Sequence, residues 1–461
     1  MGQVLRIRVP AVGLLAAALL ACATAAPLAR ADGDDGFTGY EKKVTAVNAG
    51  GEPELAVGPK GAPLLLAFNG CGIATSYDRG ASFDIRATSP ADPGPTANDP
   101  YHYCSDPVAA IGPHALYTGA GYWDTPGGSV DYYNMFVARS GDDGATWSKP
   151  VFATGDQTLP QQLLLGRNTG HSDRLFLAVD ASTDTLYASA TDFPRSVRWV
   201  VASHDGGKTF SAPSAIDSND YPQLGGNQPG DSQPAAADGA VAFAYTASAA
   251  PGAVCPCGVF ETSRDDGATW ERHLAPFTAN WVAADASHPG TFAIMSGQGA
   301  TDAPANPGSI TVATTTDYGR TWSKPTLIGQ APLHPRIQPW IAYSPTGALG
   351  VGYKTLYTDP APAQQVFMAQ ALLGQLPYSY DYWTAVSFDN GQTFSDPLKV
   401  SNAQSPPGNS GGNDDFSSVA LDDKYLYAAW GDQRTSPTDP TAGPVSVYLA
   451  RVPLTAYAKK P

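Results

Sequence analysis

Basic residues are in short supply in this chain. Against 42 Asp and Glu stand 27 Lys and Arg, which leaves a formal charge of −15 at pH 7. A surface this acidic has no electrostatic hold on nucleic acid or on an anionic membrane face. Long apolar runs are also missing beyond the N-terminus: after residue 31 none reaches the roughly 18 residues that a membrane-spanning helix needs. There is no phosphate-binding loop, dinucleotide fingerprint or H-E-x-x-H zinc helix, and the seven histidines are scattered singly. No cofactor and no metal are expected. Charged residues make up only 15%, whereas Gly (48), Pro (41) and Tyr (22) are plentiful, the composition of many short strands joined by turns.

The first 31 residues read as a secretory signal peptide. Arg6 and Arg8 precede the apolar run "VPAVGLLAAALLACATAA", and "ARA" ends at Ala31. Within the run, "LLAC" places Cys22 in the setting of a lipoprotein cleavage box, so a lipid anchor at Cys22 is the alternative to full secretion. Either way the expected location is extracytoplasmic. Loss of residues 1–31 removes Arg6, Arg8 and Arg30 and no acid, taking the charge from −15 to −18. Residues 32–461 are expected to form a single domain and a monomer. They keep Cys71, Cys104, Cys255 and Cys257, an even count that favours disulfides in an exported chain. Cys71 with Cys104 is one expected pair, and Cys255 and Cys257 would then bridge locally or stay reduced. "CPC" at 255–257 lacks a second Cys/His pair at zinc spacing.

A short motif recurs six times: "SYDRGASF" (76–83), "SGDDGATW" (140–147), "SHDGGKTF" (203–210), "SRDDGATW" (263–270), "TTDYGRTW" (315–322) and "SFDNGQTF" (387–394). Every copy keeps Asp at the third place (Asp78, Asp142, Asp205, Asp265, Asp317, Asp389), Gly at the fifth and Trp or Phe at the eighth. A carboxylate can fold back onto the N–H groups of a turn, Gly supplies the positive φ, and the aromatic starts the next strand. The motif is a self-contained turn, and its carboxylates are poor catalytic candidates.

These copies resemble the Asp-box (bacterial neuraminidase) repeat of the sialidase superfamily, over nearly the whole of residues 32–461. That resemblance implies a β-propeller whose boxes sit between the third and fourth strands of each blade, away from the working face. Successive box aspartates are 64, 63, 60, 52 and 72 residues apart, and two strand-like runs precede each box. A seventh pair, "FSSVALD" and "KYLYAAWGD", is followed by "VSVYLARV" and no box, so the seventh blade is one strand short. The segment "YEKKVTAVN" (40–48) is the candidate to supply it. An all-β propeller of seven blades, closed by pairing of the chain ends, is expected; six blades with a C-terminal flap is the alternative.

Function concentrates on long loops over a rigid scaffold, here 88–105, 155–172, 214–232, 356–380 and 402–415. "PAQQVFMAQALLG" (362–374) reads as a short helix over that face, a lid in the functional reading and a packing insert in the other. Near the expected channel mouth stand Asp106, Asp173, Asp415 and Asp432 as candidate proton-handling carboxylates. Arg174, Arg336, Arg434, His102, Tyr101 and Trp123 are candidate binding residues. Asp and Arg here could equally pair with each other. The catalytic resemblance is weaker than the fold resemblance. Sialidases hold a carboxylate with three arginines, the first in an "RIP" motif, and use a Tyr–Glu nucleophile and an Asp acid/base. Here the nearest string is "PRIQP" at 335–339, and glutamate occurs only at 41, 52, 54, 261 and 271. Two readings follow: a secreted glycan-processing glycoside hydrolase acting on extracellular saccharide, or a non-catalytic propeller that binds glycan or protein.

Overall fold

The computed structural model describes residues 36–45, 51–69, 71–92, 103–124, 132–153, 172–192, 197–216, 232–247, 253–254, 257–296, 310–328, 336–357, 375–376, 379–406, 408–409, 416–434 and 445–458. They belong to one compact unit, Gly36–Pro461. The chain folds into seven four-stranded antiparallel sheets, each a blade of a propeller. Blade 1 runs Glu54–Val57, Leu64–Phe68, Gly72–Ser76, Asp84–Arg86, and blade 2 Tyr103–Ile111, Leu116–Asp124, Tyr132–Ser140, Val151–Phe152. Blade 3 is Ser172–Asp180, Thr185–Asp192, Val197–Ser203, Ser214–Ile216, and blade 4 Ala235–Ala237, Ala240–Ala247, Cys257–Ser263, Glu271–Ala275. Blade 5 is Trp281–Ala284, Phe292–Met295, Ile310–Thr315, Thr326–Ile328, and blade 6 Arg336–Tyr343, Leu349–Leu356, Tyr380–Ser387, Leu398–Lys399. The last blade takes Ser417–Leu421, Tyr425–Asp432 and Ser446–Pro453, and its outer strand is the N-terminal Glu41–Lys43. Glu41 lies opposite Ala450 and Lys43 opposite Tyr448. Seven blades, rather than six with a flap, are therefore present.

Each blade is sandwiched between two neighbours, so its middle strands are apolar on both faces instead of alternating. Leu64–Phe68 and Leu349–Leu356 are buried at every position. Where blades 6 and 7 meet, the rings of Tyr382 and Trp430 stack at 4.9 Å and 12°. Leucines of blade 7 pack so closely on the Gly350 backbone of blade 6 that a Cβ there would stand 2.8 Å from Leu421 Cδ1 and from Leu426 Cδ1.

All six boxes join a third strand to a fourth. In the second copy Ser140 Oγ accepts the Gly144 N–H at 2.7 Å and donates to Asp142 at 2.8 Å. Asp142 in turn accepts the Thr146 N–H at 2.9 Å and its hydroxyl at 2.5 Å. Gly144 has φ +82°, a conformation that the turn requires and that a side chain resists. The same carboxylate-to-N–H bond recurs from Asp78, Asp205, Asp265, Asp317 and Asp389 at 2.7–2.9 Å. Bonds from Thr146 and Ser140 hold the Asp142 carboxyl down at about 2. At Asp205 burial acts in the opposite direction, but bonds from Thr209 and Ser203 outweigh it and again bring the value to about 2. No helix among the described residues is long and apolar enough to cross a membrane.

Candidate functional site

The innermost strands begin on the face opposite the box turns, and their starts are irregular. Register shifts interrupt the first two strands between Ser105 and Val108, between Asp173 and Phe176, and between Ile337 and Trp340. Glu52, Asp106 and Gln338 have φ of 50°, 45° and 49°, and each precedes a proline. A non-glycine residue in this region stores about 1–2 kcal/mol of backbone strain, which the surrounding packing must hold. Strained residues from blades 1, 2 and 6 thus converge on the channel mouth.

Four rings from four blades plug that mouth. Phe176, Trp281, Trp340 and Phe416 stand edge-on or tilted to one another with centroids 5.0–6.2 Å apart. Beside them Glu52, Glu54 and Asp106 line a cavity of about 20 Å³, room for a water rather than a sugar ring. Below, Glu54 also lines the axial channel, a space of about 240 Å³ walled mainly by Ala, Val and Leu of the innermost strands. Burial pushes the Glu54 carboxyl well above the usual carboxylate range, opposed by a backbone bond with Ala109. Burial thus favours its protonated form. Glu52 accepts a bond from Asn69 Nδ2 at 2.5 Å.

Asp432 and Arg434 stand elsewhere. The Arg434 guanidinium is bidentate to Glu41 (2.9 Å on each arm), bonds Asp432 at 2.6 Å and lies over the Tyr448 ring at 4.4 Å. Asp432 also accepts the Trp430 indole N–H and is 1% exposed. A ligand-facing Arg434 and a proton-handling Asp432 give way to an internal clamp, because both charges are buried and already neutralised. It ties the N-terminal strand to blade 7. Asp106 lies at the mouth, partly buried and inside a bulge. Asp173, Arg174 and Arg336 belong to the innermost strands of blades 3 and 6, and Trp123 and Cys104 to blade 2, with backbone alone described. Tyr101, His102, Asp415 and Cys255 lie outside the described residues, as does the 362–374 segment.

Sequence reasoning passed over Glu54, whose only sign was its place two residues after a strained Glu and one after a proline. A tyrosine–glutamate pair does exist in blade 4, at Glu261. Tyr245 hydroxyl donates to Glu261, which also pairs with Arg272, all three crossing adjacent strands of blade 4. Tyr245 and Glu261 are fully buried within the blade, so no substrate reaches them.

No family model matches this sequence, and no curated protein is significantly similar to it. Among solved structures it is similar to U3-55K, at 12% identity over 90% of this chain and 98% of that one, with a TM-score of 0.46. It is similar to the Trypanosoma rangeli sialidase at 13% identity over 90% of this chain and 60% of that one, with a TM-score of 0.45. The phage phi92 endosialidase gives 11%, 90%, 69% and 0.46. The chain spans about three-fifths of the length of the Trypanosoma enzyme. The sheet order and the six boxes themselves define the class, a seven-bladed propeller with Asp-box turns.

Proposed function

We propose that this is an exported, sialidase-like propeller that engages an extracellular saccharide at the channel mouth opposite the box turns. The observation that carries the reading is the meeting there of Glu52, Glu54 and Asp106 with the rings of Phe176, Trp340 and Phe416. Carboxylates accept sugar hydroxyls, and flat rings take the apolar C–H face of a pyranose. The described cavity is small, so the sugar lies across the mouth. Glycoside hydrolysis needs one carboxyl that holds a proton and one that does not. Glu54, whose burial favours the protonated form, and Asp106, in the same cavity, are the two carboxyls placed for these roles. Arg174 and Arg336 belong to the innermost strands of two blades, and arginine is the residue type that suits an anionic sugar. The even count of four cysteines in residues 32–461 fits an exported chain that carries disulfides.

A non-catalytic glycan-binding propeller is the second reading, favoured by the internal clamp that occupies Asp432 and Arg434. One experiment addresses both. Residues 32–461 are screened for binding and for sugar release against sialosides, uronate oligosaccharides and neutral glycans. The proposal expects binding that weakens in Asp106→Asn. Sugar release that is lost in Glu54→Gln with binding kept marks an enzyme, and binding without release marks the second reading. No binding to any member at millimolar concentration refutes both.

A further inference from the structure

Box turns also meet the turns of neighbouring blades. In three boxes the residue at the second place reaches the turn of the following blade. His204 Nε2 bonds Asp266 at 2.8 Å, and the Arg264 guanidinium lies 4.0 Å over the Tyr318 ring. Tyr77 hydroxyl stands 3.2 Å from where a Cβ on Gly144 would be. Blade 6 presents Phe388 at this place, but blade 7 has no box to receive it. Phe388 is 54% exposed and has no ring partner among the described residues.

Cavities open on both sides of this ring. One, of about 570 Å³, is lined by Phe388 together with His288, Thr316, Thr346, Asn390 and Gln392. The other, of about 340 Å³, is lined by Phe388 with Thr346, Asp423 and Thr455. His288 is fixed by its Nδ1 at 2.8 Å from the buried carboxylate of Asp285, which leaves Nε2 as its outward group. Asn390 uses its Oδ1 to accept from Tyr343 hydroxyl at 2.6 Å, so its amide N–H₂ remains the donor for a ligand.

We infer that this seam on the box face is a second binding site, for a neutral saccharide. Its apolar face lies on Phe388, and its hydroxyls meet Asn390, Thr346, His288 and Asp423. Asp285, Asp389 and Asp423 border the two cavities, and their negative charge disfavours sialate and uronate. The site is independent of the channel mouth, which lies at the other ends of the strands.

The test uses residues 32–461 titrated with maltohexaose, cellohexaose and chitohexaose by calorimetry and by NMR shift mapping. At least one is expected to bind. Phe388→Ala should weaken that binding by about tenfold or more, whereas Phe388→Trp keeps it. The exposed position makes both Phe388 variants fold like the parent, which a melting curve verifies. Equal affinity in Phe388→Ala overturns the inference, as does no binding of any of the three at millimolar concentration. It also fails if Phe388→Ala instead converts a dimer to a monomer in sedimentation, since the ring would then cover a second copy.

Discussion

Removing the Glu41 carboxylate should open the propeller at its seam. In Glu41→Ala, Arg434 loses two bonds of 2.9 Å and the Asn402 N–H loses its acceptor, also at 2.9 Å. The side chains of Glu41 and Arg434 are only 7% and 14% exposed, so water does little to replace what is lost. Breaking a buried pair costs about 3–5 kcal/mol. Arg434 keeps Asp432 at 2.6 Å, so its charge is not stranded and the lower end, about 3 kcal/mol, applies. An unfolding entropy of about 2.1 cal/mol/K per residue gives a unit of this size about 0.9 kcal/mol/K, so Tm should fall by about 3 °C. Calorimetry and urea unfolding of Glu41→Ala, Arg434→Ala and the double variant would measure the coupling between the two. A coupling energy below about 0.5 kcal/mol refutes the clamp, because residues so placed should be far from additive.

Deleting residues 37–49 should cost much more than Glu41→Ala, since the outer strand of blade 7 goes with them; a melt within a few degrees of the parent contradicts closure by that strand. The box carboxyls of Asp142 and Asp205 are depressed to about 2 from 3.8. Their stabilisation is present in full above about pH 4 and lost as the pH falls toward 2, so urea midpoints should drop through that window, less steeply in Asp205→Asn. Asp142→Ala should lower stability yet leave ligand affinity unchanged, as binding and melting curves on one sample would show. Peptide mapping without reduction should find Cys71 and Cys104 bridged, and free thiols at both would reject that pair.

What could be read from the sequence was local. A box is a turn whose donors and acceptors lie within eight residues, so Ser140, Asp142, Gly144 and Thr146 announce it wherever it occurs. Strand runs between boxes then count the blades, and the missing strand of the last blade points back to residue 41. What could not be read depends on ring geometry. Glu41 and Arg434 are 393 positions apart, and only closure brings them together. The plug of Phe176, Trp281, Trp340 and Phe416 takes one ring from each of four blades, and no spacing in the chain signals that they meet. Glu54 looked like an ordinary strand residue, yet its burial at the axis pushes its carboxyl well above the usual carboxylate range.

Three features of the seam share one cause. Blade 7 takes its outer strand from the N-terminus, so its third strand, Ser446–Pro453, has no fourth strand following it in the chain. A box exists to turn a third strand into a fourth, and here there is nothing to turn toward. The stitching from box to box therefore stops at Phe388, while the closing strand needs a tie of its own. Glu41 supplies that tie through Arg434, and the Asp422–Asp423 turn resumes the stitching on the far side by pairing with Arg79 of the first box. A box on blade 7 would set a turn beside Phe388, as the second box stands beside Tyr77, which itself stays 50% exposed. The open space on the blade-7 side of Phe388 is thus a product of how this chain closes. It follows that adding a box between blade 7 and an appended C-terminal strand, with residues 37–49 removed, should fill that space and abolish saccharide binding on that face without touching the channel mouth.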